Sequence, residues 1–239
     1  MASNIETVIV FDAVGTLIRT SRSVTTVYHD AGRQFGSNLS LEQVEQKFRV
    51  GRREIFGTAN LDSTTDKSFP SSDLIEHDLW RELVHFVFDD VQQPDRLFQN
   101  LWKYFSEPIS WQVFEDVPSC LQELKKLGAS ICIGSNFDSR IVAIFEHWLP
   151  ELTGENLYWS SQIGFRKPDK KFYRRIAEQF PNTKQFVMIG DDYINDYKAP
   201  IEFGWNAILL DRKSQTATTT HRVPELTQLA GMLRLNARP

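Results

Sequence analysis

The stretch that decides the fold is Val8-Ile9-Val10-Phe11-Asp12-Ala13-Val14-Gly15-Thr16-Leu17, in which four apolar residues run into a single carboxylate. A short apolar run of this kind is typical of a strand that is buried on both faces of a parallel sheet. Gly15 interrupts the run, so we predict that the backbone turns there. Asp12 is therefore expected at the carboxyl end of a central strand, where open α/β sheets bind ligands. Taken alone, such an aspartate could equally cap a turn.

The composition is that of an ordinary soluble globular protein. Of the 239 residues, 41% are hydrophobic and 24% are charged, and the net charge is −4. This balance argues against nucleic acid or a membrane surface as a partner, and no apolar stretch is long enough to span a bilayer. The first residues lack the pattern of a signal peptide, so we expect a cytoplasmic protein. Cys120 and Cys132 have no CxxC spacing and are predicted to be buried free thiols. A monomer and a homodimer both stay open.

Residues 20–107 carry helical patterns and no convincing strand. Ser40 and Gln43 form the sequence signature of a capping box, which predicts a helix beginning there. Pro94 is typical of the first position of another helix. Residues 58–72 are rich in serine, threonine and aspartate and are predicted to form a long loop. This segment, called the helical insertion below, is therefore predicted to be a small helical domain.

After the helical insertion, predicted strands alternate with predicted helices. Buried strands are expected at 129–134, 185–189 and 207–210, with helices between them. Residues 213–222, which follow the last of these strands, are rich in serine and threonine and are predicted to form a loop. Such alternation indicates a parallel sheet with helices on both faces. We therefore predict an α/β fold, a Rossmann-like doubly wound parallel sheet built from residues 1–19 and 108–239. The helical insertion would be its second, smaller domain.

Polar residues follow three of the predicted strands. They are Asp12 after the first, Ser135 and Asn136 after the second, and Asp191 and Asp192 after the third, with Asp196 four residues further along. In a parallel sheet these strand ends meet at one edge, where clustered carboxylates repel one another unless a cation lies between them. Oxygen ligands suit Mg²⁺. Lys167 and a serine near the same point would complement a phosphate. For any one residue a capping or solvated role is the simpler interpretation, but the set predicts a metal and phosphate site.

These residues give the chain a resemblance to the haloacid dehalogenase superfamily of aspartate-nucleophile hydrolases. The matching residues are Asp12 with Gly15-Thr16-Leu17 for the first motif, Ser135 for the second, Lys167 for the third, and Asp191 with Asp192 and Asp196 for the acidic fourth. The helical insertion resembles the C1-type cap of that superfamily. The resemblance covers essentially the whole chain.

The resemblance implies a Mg²⁺-dependent hydrolase that acts on a small phosphomonoester through an aspartyl-phosphate intermediate. Asp12 would be the nucleophile. Ser135, the Asn136 backbone N–H and Lys167 would bind the phosphoryl group, and the Thr16 hydroxyl would bond near Asp12 and brace the loop. The metal ligands would be Asp12, the Val14 carbonyl and Asp191, with Asp192 or Asp196 acting directly or through water. The cap would cover the site and select a small phosphorylated metabolite.

Val14 departs from the motif of superfamily phosphatases. These enzymes usually carry a second aspartate at that position, which acts as general acid and base, a contribution typically worth about 10²–10⁴-fold in rate. One interpretation is a phosphatase whose proton transfer is reduced or rerouted through the helical insertion. The candidate donors in that segment are Tyr28, His29, His77 and His85.

Two other interpretations stay open at the level of sequence. The chain could resemble phosphonatases, which would need a cap lysine such as Lys47, or dehalogenases, although dehalogenases lack the acidic fourth motif that this chain keeps. It could also be a phospho-ligand-binding protein that retains the fold and the metal site without turnover. Retention of Asp12, Lys167 and the acidic motif argues for catalysis.

Overall fold

The computed structural model describes residues 7–57, 68–213 and 221–236. Its centre is β1 (Thr7–Phe11), in which the four residues before Asp12 are fully buried. β1 pairs in parallel with β4 (Ser130–Ser135) on one side and β6 (Gln185–Gly190) on the other. The six strands lie in the order β5-β4-β1-β6-β7-β8, and every pair is parallel. The remaining three are β5 (Leu157–Trp159), β7 (Asn206–Leu210) and β8 (Arg222–Val223).

Alternate residues of β1 point to opposite faces of the sheet, as the two-residue period of a strand requires. Ile9 and Phe11 join one apolar cluster, and Val8 and Val10 join another. The helices packed around the sheet are α5 (Val117–Lys126), α6 (Arg140–Trp148), α7 (Ser160–Ile163), α8 (Lys170–Ala177), α9 (Ala199–Phe203) and α10 (Leu229–Asn236). Helices cover both faces, so the predicted Rossmann-like doubly wound α/β fold is confirmed.

The described residues of the helical insertion form four helices around an apolar cluster of their own. They are α1 (Val24–Gln34), α2 (Leu41–Phe56), α3 (Asp73–Val87) and α4 (Pro94–Ser106). The predicted capping box is present at the start of α2, where the Ser40 side chain accepts from the Gln43 N–H and the Gln43 side chain accepts from the Ser40 N–H. Phe105 packs against this cluster and against the sheet cluster, which connects the two.

Several short elements were not predicted from the sequence. β2 (Ile18–Thr20) and β3 (Trp111–Val113) form an antiparallel pair where the chain enters and leaves the helical insertion. Three residues are too few for a period to be recognised. Arg222 begins β8, although it lies in the predicted loop 213–222. The remaining short turns are 3₁₀ turns at Pro108–Ser110, Pro150–Leu152, Gly154–Asn156 and Leu226–Gln228 and a π-helical turn at Tyr193–Lys198.

Two parts of the predicted loops, 58–67 and 214–220, lie outside the described residues. Cys120 and Cys132 are buried free thiols, as predicted. Within the described ranges, each helix is too short or too polar to cross a membrane.

The core packing can be tested on a matched pair in and just after α5. Leu124 is fully buried in the sheet cluster, whereas Leu127 is 40% exposed. We expect Leu124→Ala to lower the free energy of unfolding by about 2–5 kcal/mol, because it leaves a cavity. Leu127→Ala should change it by less than about 0.5 kcal/mol. Urea unfolding measures both, and equal losses would contradict the assignment of α5 to the core.

Candidate active site

The loop after β1 turns sharply and brings its backbone against the acidic residues. The Ala13 carbonyl accepts hydrogen bonds from the N–H groups of Leu17 and Ile18 at 2.8 and 2.9 Å. Gly15 has a φ of +89°, a conformation that favours glycine. A Cβ added to Gly15 would lie 2.3 Å from a carboxylate oxygen of Asp191. Glycine is therefore required here both for conformation and for space.

A buried lysine connects two carboxylates at the carboxyl ends of the strands. The Lys167 Nζ lies 2.7 Å from Asp12 Oδ1 and 2.6 Å from Asp196 Oδ1, and the three side chains are 2%, 10% and 1% exposed. Burial alone would lower the pKa of Lys167, but the two carboxylates outweigh it and raise that pKa above its ordinary value. The ammonium group therefore stays charged beside Asp12.

The Asn136 side chain holds the backbone of Lys167. Its Oδ1 accepts from the Lys167 N–H at 2.7 Å, and its Nδ2 donates to the Lys167 carbonyl at 3.0 Å. The sequence analysis assigned a role only to the backbone N–H of Asn136. No sequence signal points to the side-chain contact, because its partner is 31 residues away.

Three carboxylates approach one another at this edge. Oxygen atoms of Asp12, Asp191 and Asp196 all lie within 4.8 Å of one another. Burial, together with the nearby carboxylates of Asp12 and Asp192, raises the pKa of Asp191 to about 7. Burial likewise raises the pKa of Asp196 to about 8, against the opposing effect of Lys167. One ammonium group does not balance three carboxylates, so this donor set fits a hard divalent cation.

The structure places Asp192 outside that group. Its Oδ1 accepts the N–H groups of Ile194 and Asn195 at 2.9 and 2.8 Å, which caps the π-helical turn. Its own N–H donates to Asp196 Oδ2 at 3.1 Å. Asp192 thus acts here as a cap and fixes the orientation of Asp196.

The Thr16 hydroxyl does not form the hydrogen bond near Asp12 that the sequence analysis predicts. That hydroxyl is buried and has no hydrogen-bond partner in the described parts of the chain. Arg212 braces the loop instead, because its guanidinium donates to the Thr16 carbonyl at 2.7 Å and to the Gly15 carbonyl at 3.3 Å. Arg212 also binds both carboxylate oxygens of Asp116, at 2.8 and 3.0 Å. Its sequence position, distant from both partners, gave no hint of this role.

A cavity of about 750 Å³ lies between the strand ends and the helical insertion. Asp12, Val14, Ser135, Asn136 and Lys167 line it, together with Asp191, Asp192 and Asp196. Ser135 is 2% exposed, and the Val14 side chain, 37% exposed, occupies the position of the missing acid. The polar side chains predicted from separate strands therefore line one cavity.

Of the four candidate proton donors in the helical insertion, Tyr28 alone lines the cavity. His29, His77 and His85 instead contact neighbouring aspartates. Lys47 also lies outside the cavity lining and pairs with Asp89 at 2.5 Å.

Hydrogen bonds connect the helical insertion to the sheet domain. Asp73 accepts the Ser139 N–H at 3.0 Å and the Ser161 hydroxyl at 2.6 Å. Asp169 accepts the Phe69 N–H at 2.9 Å. These contacts fix the helical insertion relative to the sheet domain.

Comparison with known proteins shows the family of this chain. The family model described as haloacid dehalogenase-like hydrolase matches residues 6–204. The chain belongs to this family. The human haloacid dehalogenase-like hydrolase domain-containing protein 3 is 28% identical to this hydrolase over 218 residues, which cover 84% of this chain and 80% of the human protein.

Solved structures of the family have the same fold. A HAD phosphatase from Thermococcus onnurineus has a TM-score of 0.62 and 17% identity, covering 95% of this hydrolase and 97% of that chain. A 2-haloacid dehalogenase from Pseudomonas syringae pv. Tomato DC3000 has a TM-score of 0.57 and 18% identity, covering 98% and 100%. At these identities the likeness shows the fold and does not distinguish the two reactions.

The raised pKa of Asp191 predicts how stability depends on pH without metal. Its ordinary value is 3.8 and its value in the folded hydrolase is about 7. Between these pH values the folded state binds more protons than the unfolded state, so stability falls as pH rises. In EDTA, we expect the melting temperature to fall between pH 5 and pH 8 by several degrees more for the wild type than for Asp191→Asn.

Scanning fluorimetry measures this difference. Added Mg²⁺ should reduce it at pH 8, because a cation that binds the folded state stabilises it. The same pH dependence in wild type and variant would contradict the electrostatic account of the three carboxylates.

Proposed function

We propose that this hydrolase is a Mg²⁺-dependent phosphatase that acts on a small phosphomonoester through an aspartyl-phosphate on Asp12. The observation that carries the proposal is the buried Lys167 ammonium group between Asp12 and Asp196, with Asp191 beside them. A positive group fixed against a strand-end carboxylate suits attack on a dianion, since it reduces the repulsion between nucleophile and substrate.

In the first step, the carboxylate of Asp12 attacks phosphorus, and the bond from phosphorus to the leaving oxygen breaks. The Lys167 ammonium group, 2.7 Å from Asp12 Oδ1, offsets the charge on the phosphoryl oxygens. Ser135 and the Asn136 N–H bind those oxygens at the floor of the cavity. The Asn136 side chain holds the Lys167 backbone in place throughout. Water then releases phosphate and regenerates Asp12.

The carboxylates of Asp12 and Asp191 would hold Mg²⁺ together with the Val14 carbonyl, with Asp196 acting directly or through water. When bound, the ion supplies positive charge that offsets the carboxylates and the phosphoryl oxygens. Asp196 already accepts from Lys167 and from the Asp192 N–H, so its main task is to position the lysine. This acidic cluster favours phosphatase over dehalogenase chemistry, because the dehalogenase branch needs no metal.

Val14 determines which esters are hydrolysed well. Valine carries no proton to give to the leaving oxygen, and burial raises the pKa of Tyr28, the cavity's candidate donor, so that it is a weaker acid. Esters whose leaving groups have a low pKa therefore react fastest. Lys47 is paired with Asp89 outside the cavity lining, which leaves a phosphonatase reaction without its lysine at that position. Val14 does favour one second candidate, which is binding of a phosphorylated ligand without turnover.

The nucleophile is tested with Asp12→Asn and p-nitrophenyl phosphate in Mg²⁺. We expect at least an approximately 10³-fold loss of kcat with an unchanged fold, because an amide is a poor nucleophile of nearly the same shape. Asp89→Asn, at the surface, is the matched control and should keep full activity. Activity of Asp12→Asn near the wild-type level would contradict the assignment of Asp12 as the nucleophile. Absence of turnover in the wild type, with retained phosphate binding, would favour the binding role.

The missing acid is tested with Val14→Asp. We expect it to raise kcat/KM for an alkyl phosphate by about 10²-fold or more, and to raise that for p-nitrophenyl phosphate much less, because only the alkoxide needs a proton. Val14→Asn is the control, because asparagine has nearly the shape and polarity of aspartic acid but does not act as a general acid. Equal gains on both esters, or the same gain with asparagine, would refute the account.

A further inference from the structure

Two arginines lie together in the wall of the cavity, one from each domain. Arg52 belongs to α2, and Arg166 directly precedes Lys167. Both guanidinium groups lie over the Phe56 ring, at 5.7 Å for Arg52 and 5.0 Å for Arg166. Arg52 also lies 5.9 Å from the centroid of Trp80. Two like charges therefore pack against one aromatic ring, Phe56, and Arg52 also packs against Trp80.

This pair has more positive charge than its surroundings neutralise. Arg166 is 15% exposed, and its ion-pair contact in the described structure is a single one at 3.5 Å to Glu76. Glu76 also accepts the Ser71 hydroxyl at 2.7 Å. A guanidinium group has five N–H donors, so most donors of Arg166 have no partner among the residues that the structure describes. Arg52 has no ion-pair partner among the described residues.

Arg140 in the same cavity shows the contrast. Its guanidinium binds both oxygens of Asp138 at 2.7 Å and stacks on Trp102 at 3.4 Å, so it is satisfied within the chain. For Arg166, burial lowers the pKa, Glu76 partly offsets this, and the nearby Arg52 lowers it again. An anionic group between Arg52 and Arg166 would relieve their repulsion and fill the free donors.

We propose that Arg52 and Arg166 form a second anion subsite, and that the substrate is a phosphomonoester with an apolar ring-like body and a second anionic oxygen group. This inference rests on the proposed phosphatase function. Arg52, Arg166 and Lys167 all line the same cavity, so one small molecule can contact the arginines and the phosphoryl position together. The wall along which its body would lie is aromatic and consists of Tyr28, Phe48, Phe98, Trp102, Phe105 and Trp111. Such a wall favours a flat apolar group over a sugar.

The subsite is tested by calorimetry in Mg²⁺ with uncleavable phosphonates. The probes are benzylphosphonate, 3-carboxybenzylphosphonate and the matching bisphosphonate of m-xylene. We expect the wild type to bind the carboxy probe at least about tenfold more tightly than benzylphosphonate, which is the size of a charge-assisted hydrogen bond. The bisphosphonate arm shows whether a second phosphate is preferred over a carboxylate.

Arg166→Gln and Arg52→Gln should each abolish this preference while leaving benzylphosphonate binding intact. Arg49→Gln, exposed on the same helix and outside the cavity lining, is the matched control and should retain the preference. Should Arg166→Gln fail to fold, Arg52→Gln decides, because its side chain is exposed. Equal binding of the probes by the wild type, or a preference that survives in the Arg52 variant, overturns the subsite.

Turnover of phenyl phosphate is measured in parallel, so that the two proposals fail separately. A probe preference that depends on Arg52, without turnover, supports the subsite and refutes the phosphatase. Turnover without any probe preference supports the phosphatase and refutes the subsite.

Discussion

The site depends on one buried cation held between two carboxylates. Lys167 is almost completely buried, and removing its charge from water costs free energy unless paired groups offset it. Asp12 and Asp196 provide that compensation at hydrogen-bond distance, and the Asn136 side chain fixes the backbone from which the lysine extends. Asp12, Asn136 and Asp196 lie beyond the ends of β1, β4 and β6, which are neighbours in the sheet. The central strands therefore place the groups that stabilise the buried lysine at one edge of the sheet.

The same charges make the site incomplete without a cation. Three carboxylates within 4.8 Å of one another face a single ammonium group, and burial raises the pKa values of two of them. Asp192 precedes a π-helical turn, and its carboxylate caps that turn while its N–H donates to Asp196. Within the acidic motif, Asp191 and Asp196 therefore lie where a cation would bind, whereas Asp192 stabilises the backbone.

Much of this arrangement could be predicted from the sequence, because strong patterns carry it. Fully buried apolar runs such as Val8–Phe11 mark central strands, and polar residues that follow such runs mark the ligand edge. Contacts between distant segments could not be predicted. The Asn136 side chain, the Arg212 brace and the Arg52–Arg166 pair each depend on which loops meet, and no local period encodes that. Short strands such as β2 could not be predicted for a different reason, because three residues are too few to show a hydrophobic period.

The central claim is that Asp12 becomes a covalent aspartyl-phosphate during turnover. The most direct measurement is to quench the hydrolase in Mg²⁺ and p-nitrophenyl phosphate, reduce it with borohydride, and sequence the peptide carrying residue 12 by mass spectrometry. Borohydride converts an aspartyl-phosphate to homoserine. The account predicts homoserine at residue 12 when both ester and Mg²⁺ are present, and unmodified aspartate when either is omitted. Hydrolysis of the ester with residue 12 unchanged, or homoserine at another aspartate, would contradict it.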